Sequence, residues 1–136
     1  LDPEEIKRSR SGRPSKAPKA VDTLTQGLSE PLRRCADLIH KLMRHKWSYP
    51  FNVPVDPVAL KIPHYTQVIT HPMDLGTVLQ KLQDGQYPSI DEFERDGMLV
   101  WSNAMTFNAP ATDVYVMAET LKKLFLEVRD VFSLAV

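Results

Sequence analysis

Apolar residues recur at helical spacing in four stretches of the chain, and nowhere do they keep the two-residue alternation of a half-buried strand. In the first, Leu28, Leu32, Cys35, Ile39, Leu42 and Met43 share a face. Ser29 offers an N-cap and Pro31 falls in the first turn, where its missing N–H costs nothing, so a helix is predicted from 29 to about 46. Asp74 caps the second, with Leu75, Val78, Leu79 and Leu82 on one side before Gly85 stops it. Ser89 and Glu92 form a capping box that opens the third, which turns Phe93, Gly97, Val100, Trp101, Ala104 and Phe107 inward. Asp113 caps the last, with Val114, Met117, Leu121, Leu124, Phe125 and Val128 toward the core.

Two segments break this pattern. Residues 1–26, with the run "RSRSGRPSKAPKA", have no apolar periodicity and nothing to bury, and read as a disordered tail ahead of a domain at 27–136. From Trp47 to Pro72 the chain holds prolines at 50, 54, 57, 63 and 72, too many for a long helix or a ladder. The same stretch is rich in Trp, Tyr, Phe, Val, Leu and Ile, so it reads as a rigid loop packed on helices, with a short helical turn near 64–70. A connection of that length in a compact domain is usually functional. The predicted architecture is all-α: a left-handed antiparallel four-helix bundle with a long Pro-rich loop between helices 1 and 2.

Composition narrows the chemistry. The 136 residues suit one domain, and 43% hydrophobic with 25% charged content is ordinary for a globular chain. The single Cys35 excludes an internal disulfide and, on the buried stripe of the first helix, reads as an inert small hydrophobe. No apolar run is long enough to span a membrane. The chain starts at Leu1 without a charged-then-apolar leader, which reads as no secretory signal, and without an initiator Met, which reads as a fragment or a processed form. His40 and His45 stand on different faces of their helix, and His64 and His71 have no Cys or carboxylate at ligand spacing, so no metal or other cofactor is expected. No activated nucleophile is visible, and Glu92 with Glu94 reads as a solvated helix start, so no enzyme is expected. The net charge of zero hides an asymmetry: residues 1–20 carry six basic against three acidic side chains, ahead of a mildly acidic body.

The stretch "MTFNAPATDV" poses the functional question, because a helical pattern runs into Asn108, breaks at Pro110 and restarts at Asp113. Taken with "YPFNVPVDPVALKIPHY" and "HPMDLGTVLQKL", it resembles a bromodomain, nearest in form to the BET-like and plant GTE-like members. The resemblance runs from about Ser29 to the C-terminus and implies an acetyl-lysine-binding module. By position, Asn108 matches the asparagine whose amide bonds the acetyl carbonyl, and Tyr65 the loop tyrosine that reaches the same oxygen through water. Tyr49, Pro50 and Phe51 match the aromatic shelf, Val55, Leu60 and Ile62 the loop's apolar wall, and Val114 the gatekeeper. Two positions depart from the usual form. The shelf reads Tyr-Pro-Phe in place of Trp-Pro-Phe, with Trp47 two residues earlier, so either Trp47 or Tyr49 could supply the aromatic. Phe107 precedes Asn108 where a Tyr is common.

Elementary chemistry supports those roles. Acetylation removes the lysine charge and leaves a neutral amide with a methyl end. A selective site then needs one fixed N–H donor, apolar walls and no carboxylate to favour the ammonium form, whose desolvation would cost several kcal/mol. Asn108 can donate through its NH₂ while its carbonyl accepts a bond from the loop. The expected partners are acetylated histone tails or other acetylated proteins, met by a monomer in the nucleus. A second reading comes from the tail: Gly12-Arg13-Pro14 within residues 7–19 resembles an AT-hook, which would lie in the minor groove of A·T-rich DNA with the bundle as a protein–protein scaffold. Nuclear import or a plain linker explains the same residues equally well.

Overall fold

The computed structural model describes residues 29–131. The disordered-tail and DNA-contact expectations for residues 1–26, and Leu28 on the first helical face, lie outside the described residues. Four long helices carry the fold: α1 (Glu30–Met43), α3 (Leu75–Gln83), α4 (Ile90–Phe107) and α5 (Asp113–Val131), with a short α2 (Tyr65–Val68) and a 3₁₀ turn (Tyr49–Phe51) in the long connection. No strand occurs among the described residues, and none of their helices is long and apolar enough to cross a membrane. Each long helix packs on the next, α1 on α3, α3 on α4, α4 on α5 and α5 back on α1, which closes a four-helix bundle.

Trp101 stands at its centre, fully buried, with Phe51 edge-on at 5.4 Å between ring centroids and Phe125 at 6.4 Å. Phe93 continues the aromatic column, 6.0 Å from Phe125 and 6.2 Å from Tyr87. Phe51 comes from the long connection, so one end of the column is already loop. Gly97 lets α4 and α5 approach: a Cβ there would lie 2.7 Å from Cζ of Phe125. Around the column pack Leu38, Ile39 and Leu42 of α1, Leu75, Val78 and Leu82 of α3, and Leu121 of α5.

The helix ends differ in places from what the sequence suggests. α1 stops at Met43 instead of running to 46, because the Ser48 hydroxyl donates to the Met43 and His45 carbonyls at 2.8 Å each and draws the chain into tight turns. Ser29 is the N-cap residue of α1 by position but makes no side-chain cap bond. The Ser89 hydroxyl bonds the Glu92 carboxylate instead of a helix N–H, so the capping box is only half drawn; that bond holds the Glu92 carboxyl below its usual range. The last helix is capped by Thr112, not Asp113: Thr112 Oγ1 accepts from Tyr115 N–H, and Asp113 is the first helical residue, where its charge suits the helix dipole. Glu94 is not part of a solvated helix start. Its Oε2 is buried 3.6 Å from Arg129, tying the C-terminal part of α5 to α4.

Two further tests of the packing follow. Gly97→Val would drive a branched side chain into the fully buried Phe125 ring and should lower the unfolding free energy by about 1–3 kcal/mol in a denaturant titration. Cys35 is fully buried, and desolvation together with the Glu94 charge pushes its thiol from an ordinary 9.0 up to about 12. A group whose folded pKa is raised stabilises the fold below its unfolded value and ceases to do so as pH climbs through the folded value. Wild-type stability should therefore fall as pH rises from 9 towards 12, and Cys35→Ala should show a shallower fall over that window.

Candidate functional site

The site is built where α4 ends, α5 begins and the connection at 44–74 folds back across them. Helix α4 closes at Asn108, whose backbone is extended (φ −104°, ψ 143°) and whose N–H reaches Ala104 O. Its side chain folds the same way: Nδ2 donates to Ala104 O at 2.8 Å. One hydrogen of the amide is thereby fixed to the helix, and the other lies outside that bond. Ala104 O thus accepts from both the backbone N–H and the side-chain amide of Asn108, while no loop donor to the Asn108 side-chain carbonyl, expected from the sequence, is found among the described residues.

A cavity of about 260 Å³ opens beside that amide. Nine of the ten residues singled out in the sequence line it: Pro50 and Phe51 from the 3₁₀ turn, Val55, Leu60 and Ile62 from the loop, Tyr65 from α2, Phe107 and Asn108 from α4, and Val114 from α5. Tyr49 does not. It stands 69% exposed because the 3₁₀ turn aims Phe51 at the core and sends Tyr49 outward. Trp47 does not line the cavity either, but packs half-buried against the core below the turn. The shelf beside the cavity is thus Pro50 and Phe51 without an aromatic partner at 47 or 49.

Tyr65 is 6% exposed and packs edge-on against Phe107 at 4.9 Å, while His64 stacks on the same ring at 5.2 Å. Burial raises the Tyr65 hydroxyl above its usual range, so it stays a neutral phenol.

Side chains, not ladders, hold the loop in shape. Asp56 accepts from the N–H groups of Val58 and Ala59, both at 3.1 Å, and the turn runs on through Lys61 at φ 59° to the Ile62 N–H, which donates to Pro57 O. Asn52 Nδ2 donates to Ser48 Oγ, and Asn103 Nδ2 of α4 donates to His71 O at 2.9 Å. Asp74 caps α3 by accepting from Thr77 N–H at 2.9 Å and Thr77 Oγ1 at 2.6 Å, and Gly76 N–H donates to Asn52 O.

Six cavity residues escaped the sequence reading: Val53, Met73, Asp74, Val100, Asn103 and Ala104. Val100 and Ala104 precede Asn108 by eight and four positions on one helical stripe, and that spacing could have placed them; they read as core. Asp74 matters for charge. The expectation of a carboxylate-free site is corrected here, since Asp74 is among the lining residues. Its oxygens accept from Thr77 N–H and Thr77 Oγ1, which hold the carboxylate as the cap of α3.

The fold and the site together define a four-helix module with an apolar cavity lined by two tethered amides, Asn103 and Asn108. The bromodomain family model matches residues 35–120. The chain belongs to the bromodomain family. Transcription factor GTE9 of Arabidopsis thaliana is 53% identical over 98 residues, which are 72% of this chain and 14% of that protein. Bromodomain-containing factor 1 of Saccharomyces cerevisiae is 40% identical over 114 residues, 82% of this chain and 16% of that protein. The chain therefore spans less than a fifth of the length of these relatives. Among solved structures, the second bromodomain of Candida albicans Bdf1, bound to an imidazopyridine, superposes with a TM-score of 0.71 at 41% identity, over 74% of this chain and 97% of that one.

One backbone contact controls the loop wall. A Cβ on Gly76 would lie 2.6 Å from Asn52 O. Gly76→Ala should push the loop off the start of α3, lowering stability by about 1–3 kcal/mol in thermal or denaturant melts.

Proposed function

We propose that this domain reads acetyl-lysine on histone tails, and through it recruits a larger nuclear protein to acetylated chromatin for the control of transcription. The observation that carries the proposal is the Asn108 amide, tethered to Ala104 O with one N–H left over, in the lining of a largely apolar cavity. A lysine ammonium entering there would lose its hydration among apolar walls, at several kcal/mol. An acetylated lysine carries no charge and brings a carbonyl for the amide and a methyl for the walls. Pro50, Phe51, Val55, Leu60 and Ile62 take the stem and methyl; Tyr65, a neutral phenol, holds water toward the same carbonyl; Val114 narrows the mouth from α5. Transcription-factor relatives support the nuclear setting. One donor and a small cavity give about 4–8 kcal/mol, so single-site affinity falls between micromolar and millimolar.

Asn108→Ala separates ligand role from scaffold role. The Asn108 backbone N–H still reaches Ala104 O and Thr112 still caps α5, so stability should fall by no more than about 1–2 kcal/mol. Binding loses its direct donor, about 1–3 kcal/mol, or roughly 5- to 150-fold in affinity. Calorimetric titration with acetylated and plain histone peptides, alongside a melt of each variant, measures both. A folded variant that still prefers the acetylated peptide at wild-type affinity would sink the assignment.

A further inference from the structure

We infer that the exposed face of α1 and the turn after it form a contact surface for the phosphate backbone of duplex DNA. The chain's net charge of zero divides into two opposite halves. Residues 1–46 hold eleven of the seventeen Lys and Arg side chains against six of the seventeen acids, a balance of +5, and residues 47–136 carry −5. The division does not fall where the basic tail gives way to the first helix. Residues 29–46 alone are +3, so α1 sides in charge with the residues ahead of it, against the acidic body on which it packs.

Arg33, Lys41 and Arg44 are exposed on one face of α1, and Lys46 is exposed in the turn beyond. Arg34 shares that face and pairs with Glu30 at 3.3 Å. Asp37 is the other acid of the helix, and none follows it until Asp56. Among the described residues, Arg33, Lys41, Arg44 and Lys46 make no ion pair. The helix dipole favours Lys41 and Arg44 at the C-terminal end, but it disfavours Arg33 and Arg34 near the N-terminal end, and Lys46 lies past its reach. Forming α1 therefore does not call for this set of charges. The turn that presents Lys46 is ordered: Ser48 Oγ donates to the Met43 and His45 carbonyls, Trp47 N–H donates to His45 Nδ1, and Lys46 Nζ stands 5.7 Å from the Trp47 ring centroid.

Length and charge together select a duplex. From Arg33 to Arg44 the face runs about 16 Å, and a duplex presents one phosphate charge per about 1.7 Å of its axis, so the row meets a continuous line of phosphates. Separated point cations on long side chains suit that line and carry no information about base sequence. The acidic half of the chain is repelled by the same polyanion, which orients the domain with α1 toward it. Tyr49, three residues past Lys46 and 69% exposed, adds a hydroxyl of the kind that bonds phosphate oxygens. The 3₁₀ turn that starts at Tyr49 continues into Pro50 and Phe51 of the cavity lining, so the basic turn and the cavity share one end of the bundle. The charge surface itself does not depend on the acetyl-lysine reading.

The test titrates a fluorescein-labelled duplex of mixed sequence, about 20 base pairs long, with the whole chain, following anisotropy between about 50 and 200 mM potassium chloride. The wild type is expected to bind, and to weaken steeply as salt rises. The triple variant Lys41→Gln/Arg44→Gln/Lys46→Gln is expected to lose about tenfold or more in affinity at the lowest salt. Its slope of log affinity against log salt should be shallower by about 2–3, roughly one unit per phosphate contact removed. Lys122→Gln/Lys123→Gln, which takes two cations from α5, is expected to stay within about twofold of wild type. A thermal melt of each variant checks the fold. If the triple variant melts early, Lys41→Gln and Lys46→Gln made singly provide the same comparison, at about one unit of slope each. Absence of duplex binding at the lowest salt would overturn the inference. So would a slope that the α1 changes leave at its wild-type value, which would put the contact in residues 1–28, or an equal loss in the α5 variant. Tighter binding to single-stranded RNA of equal phosphate count would overturn the choice of a duplex.

Discussion

A connection as long as residues 44–74 can wall a cavity only if its own backbone polar groups are satisfied away from any ladder. Everything at this site depends on how that is done. Ser48 takes over the carbonyls that α1 leaves behind, Asn52 bridges to Ser48 and offers its own carbonyl to Gly76, Asp56 holds the central turn, and Asn103 reaches from α4 to His71. Ser48 and Asp56 act as short polar side chains bonding nearby main chain, the arrangement that competes with helix and strand elsewhere, and Asn103 brings the same kind of bond from a distant helix. Here it frees the apolar side chains of the same segment to face inward. Phe51 can then enter the aromatic column against Trp101, so bundle and loop share one core.

The helices and the site were legible to different degrees. Amphipathic spacing located all four long helices because their buried faces are wide and regular, and the Asp74 cap was plain because an N-cap acts on residues beside it in the chain. Ends set by longer reach were not: α1 halts at Met43 on account of a serine five residues on, and Thr112 displaced Asp113 as the cap because the turn from Pro110 set which hydroxyl met the Tyr115 N–H. In the site, the loop residues came through resemblance, and the geometry gathers all but Tyr49 of them round one space. Val100, Ala104 and Asn103 stayed hidden because a residue that is half core and half lining has the same apolar or helical signature as plain core. Asp74 stayed hidden because a capping carboxylate and a cavity carboxylate are the same letter.

Aromatic packing joins the two halves of the site. Phe107 sits between His64 and Tyr65 on one side and the end of α4 on the other, so the α2 turn leans on the helix that carries Asn108. A tyrosine at 107 would add a hydroxyl needing a partner; the phenylalanine adds none. Tyr65 is thereby placed by ring contact, leaving its hydroxyl unclaimed by the packing that positions it.

The tether of Asn108 reaches main chain, not another side chain. Ala104 O is present whatever residue occupies position 104, so the donor keeps its aim through substitutions in the walls. The Pro50–Ile62 loop, Val114 and the stripe at Val100 and Ala104 can therefore drift in sequence, reshaping the cavity, without disturbing the aim of the Asn108 amide. Such a layout lets one lineage recut its cavity walls by small steps, each intermediate keeping the same amide in place.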